Sequence, residues 1–288
     1  MSALPLPGMP ATPRDRPERV HGPASGQTAR RAARELWLSR DVVRAFAVRS
    51  LRIRYRQAFL GAAWAIVQPL ALLVPFAMFL SGPTGRLDSV PYRASTLAAL
   101  IGWQFISAAV TAGAGSLVNE SMLVRKTWFP REAPVVAAVG AAMVELGIGL
   151  ILALTLGPLI GMRPGLSLLA LPIVLLGLAL VAGAIALPLA AMNAVFRDVR
   201  HALPFAILLW LFVSPVAFPV ERVDARWRVV YAALNPAVGP VDGMRRVLAH
   251  GDWPSWPLMA AGLGSALAIA AFGHRLFRRV APTLADVI

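Results

Sequence analysis

The sequence predicts an all-α membrane protein of about six transmembrane helices, and three observations carry that reading. The 288 residues are 58% hydrophobic and only 15% charged, with a mean hydropathy of +0.66, whereas a soluble domain usually carries about 25% charge. The charges are clustered, leaving long uncharged runs between them. Basic residues flank those runs, as they do where a chain fixes its orientation in a bilayer.

Residues 1–35 contain arginine, proline and alanine but lack the apolar h-region of a signal peptide. They read as a disordered cytosolic tail, because so little apolar surface cannot offset the entropy of ordering. Residues 36–58 read as an amphipathic interface helix. On a 100° wheel Val42, Val43, Phe46, Ala47 and Ile53 share one side. Arg40, Arg44, Arg49, Arg52 and Arg56 fall largely on the other, and Arg54 breaks the pattern. Such a helix lies at the membrane surface; the competing reading is a positive topogenic segment without fixed structure.

A helix crossing a hydrocarbon core of about 30 Å needs about 20 apolar residues. Uncharged runs of 29, 26, 33, 20 and 22 residues separate Arg56 from Arg86, Arg93 from Glu120, Arg163 from Arg197, Arg200 from Glu221 and Asp252 from Arg275. Between Glu132 and Arg163 lie 30 residues with one charge, Glu145. Each run must be helical, since an open strand in lipid leaves its peptide groups unpaired. The expected spans of a transmembrane domain over 59–288 are therefore near 60–81, 94–117, 133–160, 166–193, 202–219 and 255–274. Pro69, Pro75, Pro188 and Pro215 are expected to kink their helices. An even number of spans puts both termini on one side, and six arginines between Arg40 and Arg56 place that side in the cytoplasm. The remaining loops divide their basic residues equally, so the orientation rests on that stretch.

Two connecting segments are unusual. The loop 119–132 mixes charges with Met122, Leu123, Val124, Trp128 and Phe129. A loop needing only solubility has no use for those apolar residues, which points to a partner surface; the alternative is a topogenic turn with its aromatics in the headgroup belt. The external stretch 220–254 has a longest uncharged run of 13 residues, Val229 to Val241, too short to span. Asn235-Pro236 and Pro240 break it into short helices that dip into the membrane and return, which requires cover by protein or a water-filled cavity.

Several chemistries are excluded. The net charge of +14 follows from topogenic and headgroup-facing residues rather than a nucleic-acid surface. There is no cysteine, and the sole lysine, Lys126, follows arginine, so the chain holds no phosphate-cradling Gly-Lys loop. No zinc-protease or nucleophile-elbow motif is present. His21, His201, His250 and His274 are scattered, and the external acids Glu221, Asp224, Asp242 and Asp252 are outnumbered by arginines. No catalytic residue, metal site or cofactor is expected in this chain. Glu145 is the one acid deep in a span, and such charges mark a pathway or a packed polar contact. A hydrogen bond within the bundle or dimer, a conduit role and an inert protonated state all fit it. Phe76, Phe79, Trp103, Phe105, Trp210 and Phe212 fit conduit lining or packing equally well.

Six groups of residues then carry a resemblance. They are Ile53-Arg-Tyr-Arg-Gln with Leu60-Gly61 and Trp64 through Gln68-Pro69, Leu123-Val-Arg-Lys-Thr-Trp-Phe-Pro-Arg-Glu132, and Phe196-Arg-Asp-Val-Arg-His-Ala-Leu-Pro-Phe205. Ser214-Pro-Val216, Leu234-Asn-Pro236 and the ending from Phe277-Arg-Arg to Asp286-Val-Ile288 complete the set. In order and spacing the chain resembles, from about residue 36, the permease subunits of ABC transporters that export O-antigen, capsule and teichoic acid. The resemblance implies a homodimer lining one conduit in the bacterial inner membrane. It also implies partner ATP-binding subunits that hold ATP and Mg, a lipid-linked polysaccharide substrate, and both termini in the cytoplasm. Arg49, Arg52, Arg54, Tyr55 and Arg56 would then belong to an interface or gate helix. Arg125, Lys126, Trp128, Phe129, Pro130, Arg131 and Glu132 would form the coupling segment against the ATPase, with Trp128 and Phe129 as apolar anchors. Asn235 and Pro236 would close the outer mouth in re-entrant helices, and Glu145 falls where relatives often carry an acid. Competing readings are a related permease for a small lipophilic or lipo-oligosaccharide substrate, and a membrane-embedded enzyme or scaffold.

Overall fold

The computed structural model describes residues 34–35, 37–56, 67–68, 70–72, 74, 90–121, 129–216 and 218–280, and no strand occurs among them. Its principal helices are α1 (Arg40–Arg56), α2 (Val90–Asn119), α3 (Ala133–Leu156), α4 (Leu171–Val195), α5 (Asp198–Val213), α6 (Arg228–Leu234), α7 (Val238–Arg245) and α8 (Trp256–Val280). Helices α3 and α4 each carry a proline in their first turn, where the missing N–H costs nothing. A 3₁₀ turn, Gly157–Ile160, follows α3 and closes on Gly161 at φ 89°, a left-handed stop that favours glycine.

Among the described residues four stretches are long and apolar enough to cross a membrane: Tyr92–Asn119, Ala133–Ile160, Leu166–Val195 and Trp256–Val280. The one in α2 is central. Its most apolar window is 72% buried, against 28% for α8. Helix α2 packs against both α3 and α4, α8 lies on α4, and α1 lies along α3. Lipid tails are as apolar as the side chains, so close backbone approach rather than hydrophobicity joins such helices. A Cβ on Gly113 of α2 would stand 2.7 Å from the Ala186 Cβ of α4, and one on Gly273 of α8 would stand 2.7 Å from Pro188 Cδ. Asn193 of α4 adds a buried hydrogen bond from Nδ2 to the Ala114 carbonyl at 2.9 Å.

Two expected spans differ or fall outside. The segment expected at 202–219 is helical only over Asp198–Val213, 16 residues or about 24 Å, less than a hydrocarbon core. Pro215 therefore does not kink a helix. It ends one, because the residue before a proline is driven out of the α region, and Ser214 is extended at φ −95°, ψ 155°. The interior prolines are Pro188 in α4 and Pro204 in α5. The first expected span, 60–81, with Pro69 and Pro75, lies outside the described residues apart from 67–68, 70–72 and 74; of these, Leu72 packs against the core.

The bundle has two distinct ends. At one, α1, Phe129–Glu132 and the last turns of α8 meet, with Phe277 buried among Leu117, Val135 and Ala190. At the other, the α3–α4 connection touches the turn after α7, where the Arg163 amide donates to the Ala249 carbonyl at 3.1 Å.

Candidate functional site

The loop 119–132 is held at both of its ends by α1. At its start, Arg49 Nη1 lies 3.2 Å from Glu120 Oε2. At its finish, the Phe129 ring sits 5.2 Å from the Phe46 ring at an interplanar angle of 55°. Val43 and Ala47 of α1 and Ala133 and Ala137 of α3 complete that apolar cluster. The buried face of α1 thus recurs at helical spacing and rests on protein, while Arg40, Arg44, Arg49 and Arg52 are exposed. Arg54, Tyr55 and Arg56 form its last turn.

The geometry changes the reading of Phe129. It is only 6% exposed and Pro130 is buried beside it, so Phe129 anchors α1 and is not an apolar contact offered outward. Arg131 and Glu132 are half-buried, and burial lowers the Arg131 pKa below its ordinary value. Glu132 Oε1 lies 3.9 Å from both His274 Nδ1 and Arg278 Nε of α8. Arg125, Lys126 and Trp128 lie outside the described residues.

At the opposite end the chain turns a polar corner around Asn235. This buried side chain donates from Nδ2 to Ser214 Oγ at 3.0 Å and to the Val213 carbonyl at 3.4 Å. Its Oδ1 accepts from Trp210 Nε1 at 2.9 Å and from the Ala237 amide at 3.2 Å. Trp210 also meets Trp103 edge-on at 5.0 Å. Tyr231, its phenol raised to about 12 by burial, donates to the same Val213 carbonyl at 2.5 Å. Pro236, buried next to Asn235, separates α6 from α7. A Cβ on Gly239 would stand 2.5 Å from the Leu258 carbonyl oxygen, and one on Gly262 2.8 Å from that of Pro236. Only glycines let α7 and α8 approach so closely.

Every residue of α7 is buried, including Asp242 and Arg245. Arg245 Nη2 donates to the carbonyls of Pro215 at 2.7 Å and Val216 at 2.8 Å, and more distantly to that of Phe218 at 3.3 Å. These carbonyls lie just past the end of α5. Arg246 bridges Asp242 Oδ2 at 2.8 Å and Glu221 Oε1 at 2.6 Å. Burial raises the Asp242 pKa, with Arg246 pulling the other way. Sequence reasoning missed this cluster; its one legible signal was the four-residue spacing of Asp242 and Arg246.

Glu145 is half-buried on α3. It borders a cavity of about 30 Å³ with Gln68, with Gln104 and Phe105 of α2, and with Gly149. Among the described residues no basic side chain lines that cavity. Among the described residues no group of His, Cys, Asp and Glu could hold a metal ion.

Residues 41–249 match the family pattern described as ABC-2 type transporter. The chain is similar to the O-antigen export system permease protein RfbA of Myxococcus xanthus, 29% identical over 233 residues that cover 80% of this chain and 89% of that protein. Two proteins of the same name from Klebsiella pneumoniae are 25% and 23% identical over 212 residues, covering 70% of this chain and 78% of theirs.

Proposed function

The chain belongs to the ABC-2 type transporter family, and from that premise we propose that it is the membrane subunit of an ATP-driven exporter of a lipid-linked polysaccharide. The substrate class comes from its likeness to O-antigen export permeases over most of its length. In this reading two copies form one conduit of six spans each in the bacterial inner membrane, with α1 as the interface helix and both termini cytoplasmic. Separate ATP-binding subunits hold ATP and Mg against the loop 119–132.

The observation that carries the mechanism is the grip of α1 on both ends of that loop. ATP binding draws the two partner subunits together, and the loop must contact them differently in the two states for that closure to move the spans. Arg125, Lys126, Trp128, Arg131 and Glu132 are the contacts offered to the partner; Phe129 and Pro130 pass the displacement to α1 and α3. The outer corner at Asn235 and Pro236 closes the far mouth. Helix α5 supports a place beside the conduit or the second copy. Leu203, Ile207 and Leu211 bury one face, whereas Phe205, Leu208, Leu209 and Phe212 leave the other apolar and exposed.

The test is to purify the tagged chain from native membranes in mild detergent and assay ATP hydrolysis. A stoichiometric P-loop partner and ATP turnover are expected, with Trp128→Ala reducing both partner binding and export. A chain that emerges alone and inactive, under conditions that preserve other complexes of this kind, overturns the half-transporter reading. A purified complex whose ATPase is stimulated by small lipophilic compounds, and not by lipid-linked glycan, would replace the substrate class.

A further inference from the structure

Helices α3, α4 and α8 leave between them an apolar groove of about 860 Å³ that no described residue fills. Along α3 it runs from Glu132 to Met143, about 16 Å at 1.5 Å per residue. That is the depth of one leaflet, half of a hydrocarbon core of about 30 Å. The groove is apolar along that length and charged only at its mouth, where Glu132, His274 and Arg275 stand. Arg278 and Arg279 follow in the last turn of α8. Arg275 is exposed and has no acidic partner among the described residues; Glu132, the one acid there, faces His274 and Arg278 at 3.9 Å.

The walls bear on what fills it. Gly140 of α3 and Gly183 of α4 line the groove, and a Cβ on either would meet nothing within 4 Å. Gly113 and Gly273, by contrast, are required by a neighbouring helix. Packing within the chain therefore does not account for Gly140 and Gly183, and their effect is to widen the groove. The described part of the first apolar stretch is not the occupant, since Gln68 borders the Glu145 cavity on a different face of α3.

We infer that this groove is a docking site for an anionic phospholipid of the leaflet that meets the α1 end. One acyl chain lies along Gly140 and Gly183, and the phosphate sits against Arg275 with Arg278 and Arg279 beside it. Basic residues at a membrane surface attract anionic lipid, and a chain of one leaflet's length matches a groove that stops at mid-membrane. The inference rests on the chain's being a membrane permease and not on the polysaccharide reading, so either can fail without the other.

The experiment reconstitutes the full chain, with its ATPase subunits if they co-purify, into nanodiscs of phosphatidylcholine and phosphatidylglycerol. Each lipid carries a photoreactive acyl chain in turn. Phosphatidylglycerol adducts are expected on residues 136–143 of α3 and 179–187 of α4. Gly140→Leu with Gly183→Leu abolishes them, and the open space at both positions lets that variant fold. Arg275→Gln weakens phosphatidylglycerol retention about five-fold, the factor one basic residue near an anionic surface supplies. Glu132→Gln strengthens it, a direction that a merely structural role for Glu132 does not produce. Equal labelling by both lipids, or adducts unchanged in the double leucine variant, overturns the inference. So does protection of the groove by residues 57–89 or by a second copy, read as protein–protein crosslinks. Displacement of phosphatidylglycerol by a polyprenyl phosphate at equimolar amounts would make the groove a substrate entry instead.

Discussion

Removing either ring of the Phe46–Phe129 pair is expected to undock α1. Both side chains are nearly buried, at 8% and 6% exposure, and truncating a buried phenylalanine costs about 3–5 kcal/mol. At about 3 kcal/mol, Phe129→Ala should raise the local opening equilibrium of α1 on the order of 100-fold. The ion pair at the other end of the loop is a weaker tie. The Arg49 side chain is 51% exposed, and pairs so solvated contribute about 0–1 kcal/mol, so Arg49→Ala should change opening by less than about five-fold. The rings touch at 5.2 Å, so the double alanine variant should cost about 0.5–1.5 kcal/mol less than the two singles together. Hydrogen exchange of the amides of residues 43–52, in nanodiscs, reads all four variants. If Phe129→Ala leaves that exchange unchanged while Arg49→Ala accelerates it, the ion pair holds the helix and the reasoning fails. Export should fall with undocking even where Trp128 is intact and the ATPase still binds.

Three other outcomes are expected at the far end. Asn235→Ala strands the Trp210 N–H, the Ser214 hydroxyl and the Ala237 amide, at about 1–3 kcal/mol for each buried group left unpaired; a clear drop in detergent Tm, with loss of the Trp210 contribution to near-ultraviolet dichroism, is the readout. Gly239→Ala should cost about 1–3 kcal/mol by overpacking, because its methyl would sit on the Leu258 carbonyl, whereas Gly264→Ala, whose Cβ meets nothing, should be neutral; equal Tm values for the two would contradict the close approach of α7 and α8. Since burial raises the Asp242 pKa, that group's contribution to stability is fully present below its ordinary value and is lost as the pH rises through its folded one. The Tm of Asp242→Asn should therefore gain on that of the unaltered chain between pH 4 and pH 8, and a flat or falling difference would refute the sign.

The long helices were legible because a bilayer excludes charge. The gaps between Arg93 and Glu120, Glu132 and Arg163, and Arg163 and Arg197 enclose most of α2, α3 and α4. Helix α8 overruns its gap through Arg275, Arg278 and Arg279, because leaving the hydrocarbon region does not end a helix. Helix α5 falls short because Ser214-Pro215 stops it inside an uncharged run, where counting charges registers nothing. The break at Asn235-Pro236 was legible from proline, which acts on the backbone locally, but Pro240, expected to make a second break, sits in the first turn of α7. The contact of Phe129 with α1 was not legible because an apolar residue in a loop signals burial without saying against what; its partner, Phe46, lies 83 positions earlier. For the same reason Arg245 was counted as one external charge among several, although its acceptors, the carbonyls of Pro215, Val216 and Phe218, are invisible to any pattern of side chains.

Those three carbonyls give the Asn235 end of the molecule a mechanical property. One nitrogen atom holds the carbonyls of Pro215, Val216 and Phe218 in the segment that follows α5, and its own helix is wedged against α8 with no room for a methyl group at Gly239. Such an attachment does not yield by degrees. Drawing the tip of α5 away strips a guanidinium of its acceptors inside a buried corner, so resistance stays high until the bonds break together and then collapses. An attachment built this way behaves as a latch with a threshold rather than a spring, holding under small thermal displacements and giving way as one piece with α5.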